Sequence, residues 1–348
     1  MATGFKTAQV NASSVPATAT DFPSYVDLDR LGITTTAEAE SVRVYADEAK
    51  TTEWAREIVS ATEMHVKVPS LTSTTDMYVD WDGVRSDYAT TATYGAEAVW
   101  SSSYQAVYHF EDLLVDSTSN SYDLTNVNTV TQDTSAIGQG ADSGTGNTNK
   151  RLKRTDNVGI TNTDAVTYSI YFSPNEQPAT DTYQNYMYQI WRGGDFGGDR
   201  RMTYANVGGT KRLYSSWAKS PTGWTGDWYD ITVATGDYVK VDHTFSGGAT
   251  GGTYKMYVNG VERFSTAIDV DRKFSNTGGE GTNQIDFYSG EAFWYGSFTI
   301  ADSTYSKIAR SANWITTEYN NQSDEATFWG TWSEVGGGAT FTPTSMVF

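Results

Sequence analysis

The sequence contains no cysteine, so neither a disulfide nor a thiolate-bound metal can hold this fold. It has only three histidines and no Gly-x-Ser-x-Gly, which leaves nucleophile–base catalysis without its usual parts. No stretch approaches ~18 consecutive apolar residues, so no helical membrane span is expected. The opening Met1-Ala2-Thr3-Gly4-Phe5-Lys6 has no basic region followed by an apolar one and does not read as a secretory signal. Cations are scarce: 24 Lys and Arg stand against 42 Asp and Glu, a net charge of −18. A surface of that sign repels a phosphate backbone, which argues against nucleic acid as a partner; its plain reading is a solvated surface.

Thr, Ser, Gly, Asn and Tyr are abundant, while Leu and Pro are few. That composition suits short strands joined by polar turns, with an aromatic content of 14% filling the core where aliphatic residues are lacking. A chain of 348 residues is long enough for two domains and a substantial buried interior.

Alternation predicts strands at Val42-Arg43-Val44-Tyr45, Trp54 to Val59, Met64 to Pro69 and Met77 to Trp81, with a turn at Asp82-Gly83. Farther on, Val166, Tyr168, Ile170 and Phe172 fall on one face of a strand, and Val239, Val241, His243 and Phe245 on one face of another. Asn259-Gly260 lies between two alternating runs and predicts a type I′ hairpin, because both central residues of that turn need positive φ. One segment reads as helix: Ser311 can cap it, with Trp314/Glu318 and Ile315/Tyr319 paired at i, i+4. It is expected to pack against one side of a sandwich. Gly336-Gly337-Gly338 then breaks to a tail ending Met346-Val347-Phe348, which reads as a linker with a segment able to dock on a neighbouring subunit.

Several segments resemble a bacterial, archaeal and phage family in which a small β-domain of unknown function precedes a laminin-G/concanavalin A-like lectin domain. They include Asp21-Phe22-Pro23, His65-Val66-Lys67-Val68-Pro69, Ala98-Val99-Trp100, Tyr104 to Phe110, Ile137 to Ala141 and Tyr257-Val258-Asn259-Gly260. The closing helix from Ala309 to Gln322 is the most specific. The resemblance implies an all-β protein: a small β-sandwich over 1–100, a concanavalin A-like antiparallel jelly roll over 101–335 with one short C-terminal helix, and a tail over 336–348. Two features depart from the pattern. The family's opening strand is represented only by Phe5 to Val10, and the acidic pair after a glycine is replaced by Gly296-Ser297-Phe298-Thr299-Ile300-Ala301-Asp302.

Glycosidases on this jelly roll place carboxylates at alternate positions of one strand, as Glu-x-Asp-x-Glu, and no such run occurs here. The pairs Asp27/Asp29, Asp80/Asp82 and Asp269/Asp271 each sit near an expected turn, so no catalytic residue is assigned. His65, His109 and His243 read as packed side chains. Calcium is the one metal to weigh: Asp116, Asn120 and Asp123 resemble a cation-ligating segment of related jelly rolls, and an Asx-capped turn is the plainer reading. The glycine-rich run Arg192 to Arg201 lacks a phosphate loop's Gly-Lys-Ser/Thr ending and reads as a hairpin loop.

Tyr214 to Tyr229 packs Trp217, Trp224 and Trp228 around Asp227, interrupted by Pro and Gly. Aromatic faces stack on the C–H faces of sugars, so these residues, with Trp294, are the candidate glycan contacts; the competing reading places the tryptophans in the core. The expected function is a non-catalytic structural or binding protein of a virion surface, assembled with other subunits or copies of itself. The alternatives are a cellular surface adhesin or carbohydrate-binding module and, more remotely, a glycosidase relic.

Overall fold

The computed structural model describes residues 3–336 except 102, 147–149, 156–157, 160–164, 180–185, 193–199, 220–222, 248–250, 270–282 and 291–293. Backbone alone is described at 186, 188–192, 200, 216–219, 223–225, 268–269, 283–284, 289–290 and 294–295. The C-terminal tail and the glycine-rich loop after Arg192 therefore lie outside the described residues. No described helix is long and apolar enough to cross a membrane.

The protein is all-β: the described residues form antiparallel strand pairs and four α-helices, of which only Ala312–Ser323 exceeds five residues. Residues near the N-terminus build two small sheets. One runs in the order Ser333–Glu334, Gly4–Gln9, Asp76–Trp81, Arg43–Tyr45, Glu53–Trp54; the other is Ala19–Asp27, Glu63–Leu71, Arg56–Ile58. Their alternating apolar residues, among them Phe22, Val26, Val44, Val66, Val68 and Val79, close one core.

The second body is a pair of large sheets. The eight-stranded sheet centres on Phe298–Ser306, Val166–Pro174 and Val239–Phe245, and the seven-stranded sheet on Arg200–Val207, Tyr186–Arg192 and Asn283–Phe287. Val166, Tyr168, Ile170 and Phe172 face Met202, Tyr204, Leu213 and Phe287 in a shared core, as the alternation predicts. Asn259 and Gly260 have φ of 51° and 73°, and Val258 pairs with Val261 across them, so the hairpin turns where Asn-Gly requires it.

The closing helix departs from expectation in one respect. Ser311 caps it, its hydroxyl accepting the Trp314 N–H at 3.2 Å, and the helix does lie on the eight-stranded sheet. There the ammonium of Lys240 donates to Asp242 at 2.7 Å and to helix residue Glu318 at 2.6 Å, all three buried. The opposite side of the helix, however, completes the first module. Trp314, Ile315, Phe328, Trp329 and Trp332 belong to the core of Phe22 and Val66. Asn321 extends the edge of Ala19–Asp27, accepting from the Tyr25 N–H at 2.7 Å and donating to its carbonyl at 3.0 Å. Ser333–Glu334 then pairs with the first strand. Residues 312–334 thus return to the two N-terminal sheets and help to cover their apolar faces.

Candidate functional site

The aromatic segment forms the edge of the seven-stranded sheet. Thr210–Lys219 pairs with Gly223–Asp230, setting Tyr214 opposite Trp228, Trp217 opposite Thr225, and Ala218 opposite Trp224. Facing partners in an antiparallel ladder share a face, so positions 214, 224 and 228 lie on one side. Position 217 falls on the other, with core residues Leu213 and Ser215. The register therefore separates Trp217 from the two tryptophans with which the sequence grouped it. Asp227 also takes the inner side, accepting a hydrogen bond from Thr266 of the other large sheet. Trp294 sits in the short hairpin of Ser289–Gly290 with Trp294–Tyr295, where it pairs with Gly290.

Of the seven tryptophans whose side chains are described, six are buried, whereas Trp228 is 52% exposed. Tyr214 stacks on it, ring centroids 6.5 Å apart at 26°, and the Arg212 guanidinium stands 5.3 Å from its ring centre. A large apolar ring left in water yet held from two sides has the geometry of a stacking platform.

Asp116 is buried and its carboxylate is fully engaged by protein donors. It accepts from the N–H groups of Val107 at 2.9 Å, Thr118 at 3.0 Å and Tyr122 at 2.8 Å, and from the Thr118 hydroxyl at 2.9 Å. Burial raises its pKa while those donors pull it back. Asn120 turns its amide donors to the carbonyls of Tyr104 and Gln105, and Asp123 accepts the Asp116 N–H at 3.0 Å. Arg154 donates to the Ser121 and Asp123 carbonyls. Asp116, Asn120 and Asp123 form a capped turn that ties the first jelly-roll strand to the following loop.

A second polar centre lies where the modules meet. Glu57, Glu63 and His65 come from the three-stranded sheet, and His109 and Asp302 from the jelly roll; all are buried. His65 Nε2 lies 3.1 Å from Glu63, and His109 Nε2 lies 3.3 Å from Glu57 while its Nδ1 lies 3.4 Å from Asp302. The Trp100 indole donates to Glu57 at 2.6 Å. Burial disfavours a charged imidazole, but Glu57 and Asp302 outweigh it and hold the His109 pKa well above the ordinary value. Reciprocally, burial would raise Glu57 and Asp302, and His109 instead holds both below the ordinary carboxylate range.

Ligand-type atoms of Glu63, His65 and His109 lie within 4.8 Å of one another. The two imidazoles are nevertheless stacked, centroids 4.3 Å apart at 26°, so their lone pairs lie in nearly parallel planes, a poor arrangement for in-plane ligation of a common zinc 2.0–2.1 Å from each. The arrangement is a charge-paired joint. Sequence reading placed both histidines correctly as packed residues but missed their meeting. Two histidines, each two residues from a glutamate (Glu63 and Glu111), were the available signal.

Beside the joint lies a cleft of about 640 Å³ whose lining includes Glu40, Asp87, Glu111 and Gly138. Asp87 is bound to Arg56 at 2.5 Å, and burial, followed by the charge of Glu63, raises Glu111.

No family model matches the chain, and no curated protein matches it. Among solved structures it is similar to domain 4 of AbnA, a GH43 extracellular arabinanase from Geobacillus stearothermophilus, in complex with arabinotriose. The identity is 17% over 61% of this chain and 96% of that one, with a TM-score of 0.44. It is also similar to the botulinum neurotoxin serotype D binding domain, at 13% identity over 66% and 53% of the two chains, TM-score 0.47. A third is the binding domain of Paraclostridial Mosquitocidal Protein 1, at 11% over 59% and 48%, TM-score 0.46. This chain spans about half the length of the two toxin chains. The all-β class rests on the sheets of this protein itself.

Proposed function

We propose that this protein is a non-catalytic binding component of a virion surface, with a laminin-G/concanavalin A-like jelly roll that contacts a glycan through the outer face of its seven-stranded sheet. One observation carries the reading: Trp228 stays half exposed, stacked on Tyr214, while the other tryptophans with described side chains are buried. Leaving a ring of that size in water forgoes roughly 2 kcal/mol of burial, a loss that contact with a sugar face recovers. Trp224 shares the Trp228 face by register. The small module, closed around both ends of the chain, suits attachment, and a cysteine-free chain suits assembly in a reducing cytosol before release.

The test is a glycan array with the intact chain and its Trp228→Ala variant, together with a search for the chain in purified particles. Binding that drops at least tenfold in the variant while near-ultraviolet dichroism is kept supports the contact. Equal binding by both proteins removes it, and a cell-envelope location without particles removes the virion setting.

A further inference from the structure

The large sheets of the jelly roll differ sharply in charge. The seven strands containing Trp228 hold nine of the chain's 24 Lys and Arg but only three of its 42 Asp and Glu. The eight strands of the opposite sheet hold three basic and six acidic residues. In a chain of net charge −18, cations are thus concentrated on one layer.

Alternation places several of them outward. Arg151 and Lys153 flank core residue Leu152, and Arg212 precedes core residue Leu213; Arg201, before core residue Met202, lies on the same side but is buried. The outward acids are few. Asp230 is paired with Arg212 at 3.2 Å. Asp286, between core residues Ile285 and Phe287, lies 3.7 Å from Arg151 and opposite Lys153 in the ladder. Burial raises its carboxyl to about 8 against the pull of Arg151 and Lys153. One row of facing partners runs Lys153, Asp286, Gln189, Arg201, Ser216, Gly226 and ends on the strand of Trp228. Five strand spacings make that path roughly 24 Å, the reach of an oligosaccharide and not of a single sugar.

We infer that the glycan bound on this face is anionic, a carboxylated or sulfated polysaccharide lying across the strands from Trp228 toward Arg151 and Lys153. The inference rests on the glycan reading above and adds the charge of the ligand. A polyanion is repelled by the rest of this surface, so its attraction is confined to the cationic layer and weakens with salt. Guanidinium groups suit planar carboxylate and sulfate oxygens, and the tryptophan supplies the apolar stack.

The experiment measures binding of the full chain to polygalacturonate, dextran sulfate and uncharged dextran between 50 and 500 mM NaCl. Alongside run Trp228→Ala, a double Arg151→Glu/Lys153→Glu variant and a distant control, Lys50→Glu. The expected result is at least tenfold tighter binding to one or both charged polymers than to dextran, falling at least tenfold over the salt range. The double variant should lose the charge preference, and the control should keep it. Preference for polygalacturonate alone assigns carboxylate, and preference for dextran sulfate alone assigns sulfate. Equal binding to dextran, lost in Trp228→Ala, overturns the anionic assignment and leaves the glycan reading standing. A charge preference lost equally in the Lys50 control places the contact elsewhere and overturns the inference. Absence of binding to all three overturns it as well, and the wider array then judges the glycan reading separately.

Discussion

His65 and His109 stack ring on ring, centroids 4.3 Å apart, although one belongs to the small module and the other to the jelly roll. Around them Glu57, Glu63 and Asp302 supply negative charge in a space from which water is excluded. The modules are therefore joined by paired charge as well as apolar contact, and removing one partner leaves the others buried without compensation.

His109→Ala should destabilise the protein by about 3–5 kcal/mol, the cost of stranding buried carboxylates. His109→Gln, which keeps a donor but not the charge, should cost less. Urea unfolding with paired fluorescence and dichroism readings checks this; a loss under ~1 kcal/mol would show that the joint contributes little.

The same cluster sets a pH window. The raised His109 pKa gives stability that is full below the ordinary imidazole value and is lost as pH climbs through the folded value. The lowered pKa values of Glu57 and Asp302 give stability present above the ordinary carboxylate range and lost as pH falls through their folded values. The difference in unfolding free energy between wild type and His109→Gln should therefore be greatest between pH ~4.5 and ~6.5 and shrink on both sides. A difference that keeps growing into the alkaline range contradicts this assignment.

Gly260 is held at φ 73°, and a Cβ there would lie 3.1 Å from Tyr319 Cβ and 3.2 Å from Thr316 Cα on the closing helix. Gly260→Ala should cost about 1–2 kcal/mol in backbone strain alone, and more if the helix is pushed from the sheet. Gly236, also at positive φ (89°) but in open space, supplies the control: Gly236→Ala should show only the strain. Equal losses in the two would mean that the helix moves freely.

Phe328 is fully buried against Phe22, with ring centroids 6.4 Å apart. Phe328→Ala should cost about 3–5 kcal/mol. Ending the chain at Arg310 should expose the small module's core and produce dye-binding, aggregation-prone protein, whereas a free-standing small module would tolerate that cut. Size-exclusion chromatography separates the outcomes.

Much of the architecture was legible because period-two alternation is local. Val166 to Phe172 announces its buried face, and Asn259-Gly260 announces its turn, without reference to the rest of the chain. What was not legible depends on distance in sequence. The pairing of His65 with His109 spans two modules, and the contact of Phe328 with Phe22 spans nearly the whole chain. The tryptophan cluster lies between these cases. Residues 224 and 228 share a parity visible in the sequence, while the side taken by 217 depends on where the intervening turn reverses the strand. The sequence also showed an acidic protein but not the concentration of its cations on one sheet, since those residues come from widely separated strands.

The Val335 N–H donates to the Phe5 carbonyl at 2.8 Å, and Lys6 and Thr7 lie opposite Glu334 and Ser333. The first and last described strands thus run antiparallel, with Gly4 and Val335 at the same end of the ladder. Tension applied between those ends would open this ladder like a zip, one link at a time, instead of shearing many links at once.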